Sequence, residues 1–247
     1  MRRKLADNLK RVRERMQAAC ERAKRSIDSV RVIAVTKSVE VDVIRGTIES
    51  GLCDLGESRV QELVKRAGMV NEHLTRRRKL EPDNTPPEPR WHMIGHLQRN
   101  KVRPVLPWTD FVHSLDSLRL AEELSEEATR LGRTAQAMIQ VNVSGEKSKY
   151  GIAVGATTHL VEHIASLPNL QIVGLMTMAP HVKDPEESRP NFRRLRELFE
   201  EIQKDRTAGD GFKELSMGMS NDYEIAIEEG ATMIRLGSAL YDGLTAN

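Results

Sequence analysis

The sequence predicts an α/β fold, one closed (β/α)8 TIM-type barrel with an extra helix at its N-terminus. Three observations carry that reading. Short apolar, β-branched runs alternate with helical stripes eight times along the chain. The 247 residues suit eight such units, since this architecture takes about 250. An open nucleotide-binding sheet would show a glycine fingerprint after its first strand. The turn there is Lys37-Ser-Val-Glu40, with no glycine. No stretch is left over for a second domain, so residues 1–247 are expected to form a single one.

The first helix follows from Leu5, Leu9, Val12, Met16, Ala19 and Ala23, an apolar stripe at helical spacing. Arg31-Val-Ile-Ala-Val-Thr36 reads as a fully buried first strand, with a helix from Val39 to Ser50. Residues 52–56 give a short second strand and 59–70 its helix. Residues 71–90 hold Arg76-Arg-Arg-Lys79 and then Pro82, Pro86, Pro87 and Pro89, which predicts a proline-rich surface loop. The third and fourth strands are expected at 91–95 and 110–114, each followed by a helix (98–105 and 117–131). The remaining strands are expected at 135–143, 171–176, 213–217 and 232–236, with helices at 154–167, 190–204 and 223–229 between them.

Lysine plus arginine is 38 against 36 acidic residues, a formal charge of +2, and aromatics are only 4%. That balance gives no basis for nucleic acid as a partner. No run of about 18 apolar residues exists, so no membrane span is expected. Cys20 and Cys53 make neither a metal-ligand spacing nor a disulfide framework, which fits a reducing, cytoplasmic protein.

In a barrel the chemistry belongs at the C-terminal ends of the strands, with phosphates at the seventh and eighth. Lys37 ends the first strand with apolar residues behind it, where desolvation would free its amine as a nucleophile. Gly218, Ser220, Gly237 and Ser238 let backbone N–H groups approach an anion, although plain helix capping needs the same residue types. Alternation puts Met233, Arg235 and Gly237 on one face of the last strand. An interior arginine must meet an anion or a strong acceptor. A reactive lysine, a phosphate cup and an interior arginine together suggest pyridoxal 5′-phosphate. Lys37 would hold it as a Schiff base and Arg235 would donate to its ring nitrogen, which makes the ring a weaker electron sink. Met217 is placed under the ring. His92 is read either as lining the cofactor or as a hydrogen-bonded core histidine. His92 and His96, like His159 and His163, lack a third metal ligand.

Several blocks carry a resemblance. Val35-Thr-Lys37, Gly56-Glu-Ser-Arg-Val-Gln-Glu62, Trp91-His-Met-Ile-Gly-His-Leu-Gln-Arg-Asn-Lys101, His113-Ser-Leu-Asp116, Lys149-Tyr-Gly151, Gly174-Leu-Met-Thr-Met178, Leu215-Ser-Met-Gly-Met-Ser220 and Ile234-Arg-Leu-Gly-Ser-Ala239 stand in order along the chain. They resemble the pyridoxal phosphate homeostasis protein family (YggS/PROSC type). The resemblance implies a fold-type-III barrel like the alanine racemase N-terminal domain. It also implies a Schiff-base lysine at Lys37, phosphate contacts from Ser220, Gly237 and Ser238, and Arg235 facing the pyridine nitrogen. Ser58 stands where the family usually has asparagine, so a contact beside the ring would be lost or bridged by water.

The expected function is a non-catalytic protein that holds pyridoxal phosphate and governs its free level, acting as a monomer with pyridoxal-phosphate-dependent client enzymes as partners. The alternative is an amino-acid racemase on the same barrel. Racemisation needs a base on each face, and neither the tyrosines (Tyr150, Tyr223, Tyr241) nor His92 or Asp116 is an obvious second one. Without the resemblance, a barrel acting on a phosphorylated small molecule through the Lys37 amine also fits.

Overall fold

The structure is a computed structural model describing residues 1–146, 149–180 and 182–245. The elements run α1 (Arg2–Arg22), β1 (Arg31–Val35), α2 (Val41–Glu49), β2 (Asp54–Glu57), α3 (Val60–Leu80) and β3 (Arg90–Met93). Then come α4 (Val102–Val105), β4 (Phe111–Leu115), α5 (Leu118–Arg130), β5 (Ala135–Asn142), β6 (Ile152–Ala153) and α6 (Val154–Ile164). The chain ends with β7 (Leu170–Met176), α7 (Arg189–Asp205), β8 (Glu214–Met219), α8 (Tyr223–Glu228), β9 (Met233–Leu236) and α9 (Ser238–Tyr241).

Eight of the strands close a parallel barrel in the order β1-β2-β3-β4-β5-β7-β8-β9, with β9 pairing back onto β1. The eight predicted strands are all present, and the predicted barrel is the fold. The two-residue strand β6, unforeseen in the sequence, pairs with the end of β5 outside the barrel. It is too short to show a period.

The inner and outer layers follow from strand alternation. Ile33, Phe111, Met138, Val173, Met176 and Met233 form a small apolar cluster of their own. Residues on the opposite faces of the strands, such as Ala34, Leu55, Met93 and Val112, pack outward against the helices in one large core. Helix α1 buries Leu5, Leu9, Val12, Met16, Ala19 and Cys20. It packs on α8 and α9, where Asn8 Nδ2 donates to the carbonyls of Leu240 (2.9 Å) and Asp242 (3.0 Å).

The predicted loop at 71–90 is a correction. Helix α3 continues to Leu80, and only a short 3-10 turn at Pro82–Asn84 and the prolines beyond are irregular. Leu74 extends the buried stripe of Val60, Leu63, Ala67 and Val70 by one more turn. The basic run lies in the last turns, where cations suit the negative end of the helix dipole. Arg76 pairs with Glu72 (2.6 Å) and Arg77 with Glu49 (2.8 Å). A basic tract ahead of prolines resembled a solvated loop because its apolar partner residues lie several positions upstream.

Candidate functional site

The site sits at the C-terminal mouth of the barrel, around the junction of β8, β9 and β1. In β9, alternation turns Arg235 inward, and the residue is almost wholly buried. Its guanidinium meets two neutral acceptors: Nη1 donates to Ser216 Oγ (2.6 Å) and Nη2 to the Thr177 carbonyl (2.8 Å). The sequence demanded a strong acceptor for this arginine, and these two provide it. Burial pulls its pKa down to about 10, opposed by the charge of Asp222, so the group is still a cation at neutral pH.

Above Arg235, the ends of β8 and β9 are tied by one hydroxyl. Ser220 Oγ accepts from the backbone N–H groups of Gly237 (3.2 Å) and Ala239 (3.1 Å). Two donors thus converge on a single oxygen at the predicted cup. The turn that carries Ser220 is built by Gly218 and Asp222. Gly218 has φ +89, and a Cβ there would lie 2.5 Å from the Ala226 Cβ. Asp222 Oδ1 accepts from the Met219 N–H (2.6 Å). Burial raises the Asp222 carboxyl, against the Met219 hydrogen bond and the Arg235 charge that lower it.

Lys37 stands two residues past Val35, which packs beside Gly237. That places the lysine at the same rim as Gly237 and Ser238. It is exposed there, so the desolvation expected of it is not present. The adjoining Thr36 is buried, and its Oγ1 donates to Glu57 Oε1 (2.7 Å). Glu57 is 1% exposed and ion-paired with Arg66 of α3 (2.9 Å), which also donates to the Thr36 carbonyl. Burial raises the Glu57 carboxyl despite Thr36 and Arg66, which lower it. These bonds brace the turn that presents Lys37. Ser58 follows Glu57 at the mouth, half-buried, with its carbonyl so close to Gly95 that a Cβ there would sit 2.2 Å away.

Lys37, Ser58, Ser220, Gly237 and Ser238 therefore gather at one mouth above Arg235. Two predicted site residues are elsewhere. Met217 points out of the barrel into the helix-facing core, because its neighbour Ser216 faces in. His92 is a fully buried core histidine, stacked on Phe111 (centroids 4.8 Å apart) and bonded through Nε2 to Asp54 Oδ1 (2.9 Å).

Sequence reasoning missed the groups that join His92 to Arg235. His113 Nε2 meets His92 Nδ1 at 2.9 Å, and His113 Nδ1 meets Ser216 Oγ at 2.8 Å, reaching across the barrel from β4 to β8. One signal was available: His113 lies two residues from Phe111, which puts it on the same, inward face of its strand. Elsewhere on the mouth, Tyr150 stacks on His96 (4.1 Å), which pairs with Asp116 (3.2 Å). No helix among the described residues is long and apolar enough to cross a membrane.

Comparisons with known proteins agree with this geometry. The family described as "Alanine racemase, N-terminal domain" matches residues 4–244. A pyridoxal phosphate homeostasis protein of Aquifex aeolicus is 39% identical over 235 residues, 95% of this chain and 96% of that one. The human protein of that name is 35% identical, covering 94% of this chain and 84% of its own. Among solved structures, PipY of Synechococcus elongatus with PLP bound has a TM-score of 0.78 at 30% identity, covering 96% of this chain and 99% of that one. An alanine racemase of Clostridium difficile, at 14% identity, TM-score 0.68, and covering 96% of this chain and 56% of its own, shares the fold. The chain thus belongs to the alanine racemase N-terminal domain family and, within it, to the pyridoxal phosphate homeostasis proteins.

Proposed function

We propose that the chain binds pyridoxal 5′-phosphate as a Schiff base on Lys37 and serves intracellular homeostasis of that cofactor, without a catalytic turnover of its own. The observation that carries this reading is the buried Arg235, a cation below a mouth that also holds an exposed lysine and converging N–H donors. The residues present fit the group. Ser220, Gly237 and Ser238 would hold the phosphate, Arg235 would face the ring nitrogen, and Ser58 would lie beside the ring. Bound there, pyridoxal phosphate supplies an aldehyde for the Lys37 amine and a ring that withdraws electrons. The chain's own contribution is to keep a donor, not an acceptor, at the ring nitrogen, which opposes its protonation. That choice suits storage and release better than carbanion chemistry. The PLP-bound PipY relative, at 30% identity, supports the ligand.

The same reading makes the protein a monomeric single barrel of the cytoplasm that delivers cofactor to pyridoxal-phosphate-dependent clients. Its two cysteines are free thiols, as a reducing compartment requires. A racemase is the second reading, and one observation favours it. Tyr150, 57% exposed, stands at the mouth on the His96–Asp116 pair, whereas Tyr223 and Tyr241 are buried.

The test is the visible spectrum of the purified protein, followed by borohydride reduction and peptide mapping. A yellow protein with the reduced adduct on Lys37, and no colour in Lys37→Ala, is the expected result. Racemisation of an amino acid by that yellow sample would establish the racemase instead. A protein that stays colourless with added pyridoxal phosphate would overturn both readings and favour a phosphorylated substrate at the Lys37 amine.

A further inference from the structure

Five buried side chains from five strands make one unbroken hydrogen-bonded file through the barrel: Arg235 (β9), Ser216 (β8), His113 (β4), His92 (β3) and Asp54 (β2). Its two ends fix its direction. A guanidinium only donates and a carboxylate only accepts. Burial, more than any neighbouring charge, keeps both imidazoles below their ordinary pKa, His113 well below, so each carries one N–H at neutral pH. Burial would raise the Asp54 carboxyl, but hydrogen bonds from His92 and Arg90 and the charge of Arg90 outweigh it and leave it ionised.

One arrangement then satisfies every contact. His92 donates from Nε2 to Asp54, so its bare Nδ1 accepts from His113 Nε2–H. The bare Nδ1 of His113 accepts the Ser216 hydroxyl proton, and Ser216 turns its lone pairs to Arg235. Reversing either imidazole alone would press two lone pairs or two N–H groups together in a site without water to relieve them.

We propose that Asp54, at the start of β2 and far from the barrel mouth, is a positioning residue for Arg235, acting through His92, His113 and Ser216. The file pins Nη1 of Arg235 while the Thr177 carbonyl pins Nη2, which aims the guanidinium at the mouth. Its consequence for a ring nitrogen rests on the pyridoxal reading above; the file itself does not. Asp54 also lines a cleft with Arg13, Asp28 and Cys53, so the foot of the file lies next to solvent.

Asp54→Asn gives a specific test. Asp54 Oδ2 accepts from Arg90 (2.7 Å) while Oδ1 accepts from His92. An asparagine would turn its oxygen to the charged arginine and its amide NH2 to His92. That forces His92 to the Nδ1–H tautomer, then His113 likewise, and leaves Ser216 accepting from both sides. The experiment is 15N NMR of the histidine rings and the Arg235 guanidinium in the cofactor-free protein, with Asp28→Asn, an exposed charge on the same cleft, as control.

Both rings as Nε2–H in the wild type, both as Nδ1–H in D54N with shifted Arg235 signals, and no change in D28N are expected. Either ring charged or Nδ1–H in the neutral wild type overturns the proposal. So does an unchanged His113 or Arg235 signal in D54N. If D54N does not fold, Ser216→Ala replaces it: His113 stays Nε2–H because His92 still accepts from it, the His113 Nδ1 and Arg235 signals shift as the shared hydroxyl is lost, and a His113 turned to Nδ1–H or unchanged Arg235 signals overturn the proposal. A colourless protein with added pyridoxal phosphate would remove the ligand reading and leave the tautomer result standing.

Discussion

Acidification should destabilise this protein through its two core histidines before ordinary carboxylates titrate. In the unfolded chain both imidazoles take protons near 6.5, whereas in the fold both values are lowered. A group with a depressed folded pKa contributes stability that is present above the unfolded value and lost as pH falls toward the folded one. Between about pH 7.5 and about pH 5.5, an imidazole that stays neutral in the fold loses about 1.4 kcal/mol of stability. His113, pushed down by burial and by the Arg235 and Arg31 charges, contributes that full amount. His92 adds between none and the same, because Asp54 opposes its burial. The predicted loss is therefore about 1.4 to about 2.8 kcal/mol.

Glu57 and Asp222 work in the other direction, since their raised carboxyls take protons in the fold first. The informative quantity is thus the difference from His113→Gln, which keeps those carboxyls. Urea unfolding followed by tryptophan fluorescence reads it, since Trp91 is buried. The wild type should lose about 1.4 kcal/mol more than the variant over that interval. Parallel stability curves for the two proteins would refute a neutral, buried His113.

Three further outcomes follow from the packing. Gly218→Ala must accommodate φ +89 and a contact of 2.5 Å with Ala226, and should lower stability by about 2–4 kcal/mol in thermal unfolding. Arg66→Met leaves the Glu57 carboxylate buried without its cation. It should cost about 3 kcal/mol in urea unfolding at about pH 7 and less as the pH is lowered, because burial raises the Glu57 carboxyl and favours its neutral form. Leu5→Ala removes a fully buried side chain from the seam between α1 and the barrel's outer layer. It should cost about 2–5 kcal/mol, read as a shift of the urea midpoint.

The mouth was legible residue by residue because barrel chemistry lies at strand ends, and strand ends can be read from where apolar runs stop. Lys37, Ser58, Ser220, Gly237 and Ser238 were assigned to the mouth that way, and Arg235 by the alternation of its strand. Met217 was misjudged because the inward or outward sense of β8 depends on register. That register shifts between Ser216 and Met219 where β8 meets β9. The burial of Lys37 was overestimated for a related reason: apolar residues behind a strand end say nothing about what covers it.

The sequence by itself determined the period, the eight strand–helix units, the inward face of β9 and the family, since each rests on local spacing or on short contiguous motifs. The tertiary structure decided what no local pattern encodes. Helix α3 runs ten residues past its predicted end because Leu74 finds a place in the core. His92, His113 and Asp54 join Arg235 because barrel closure brings β4 against β8, linking residues 103 positions apart in the chain. A hydrogen bond of that kind depends on the curvature of all eight strands together, and alternation within one strand specifies only which way each side chain faces.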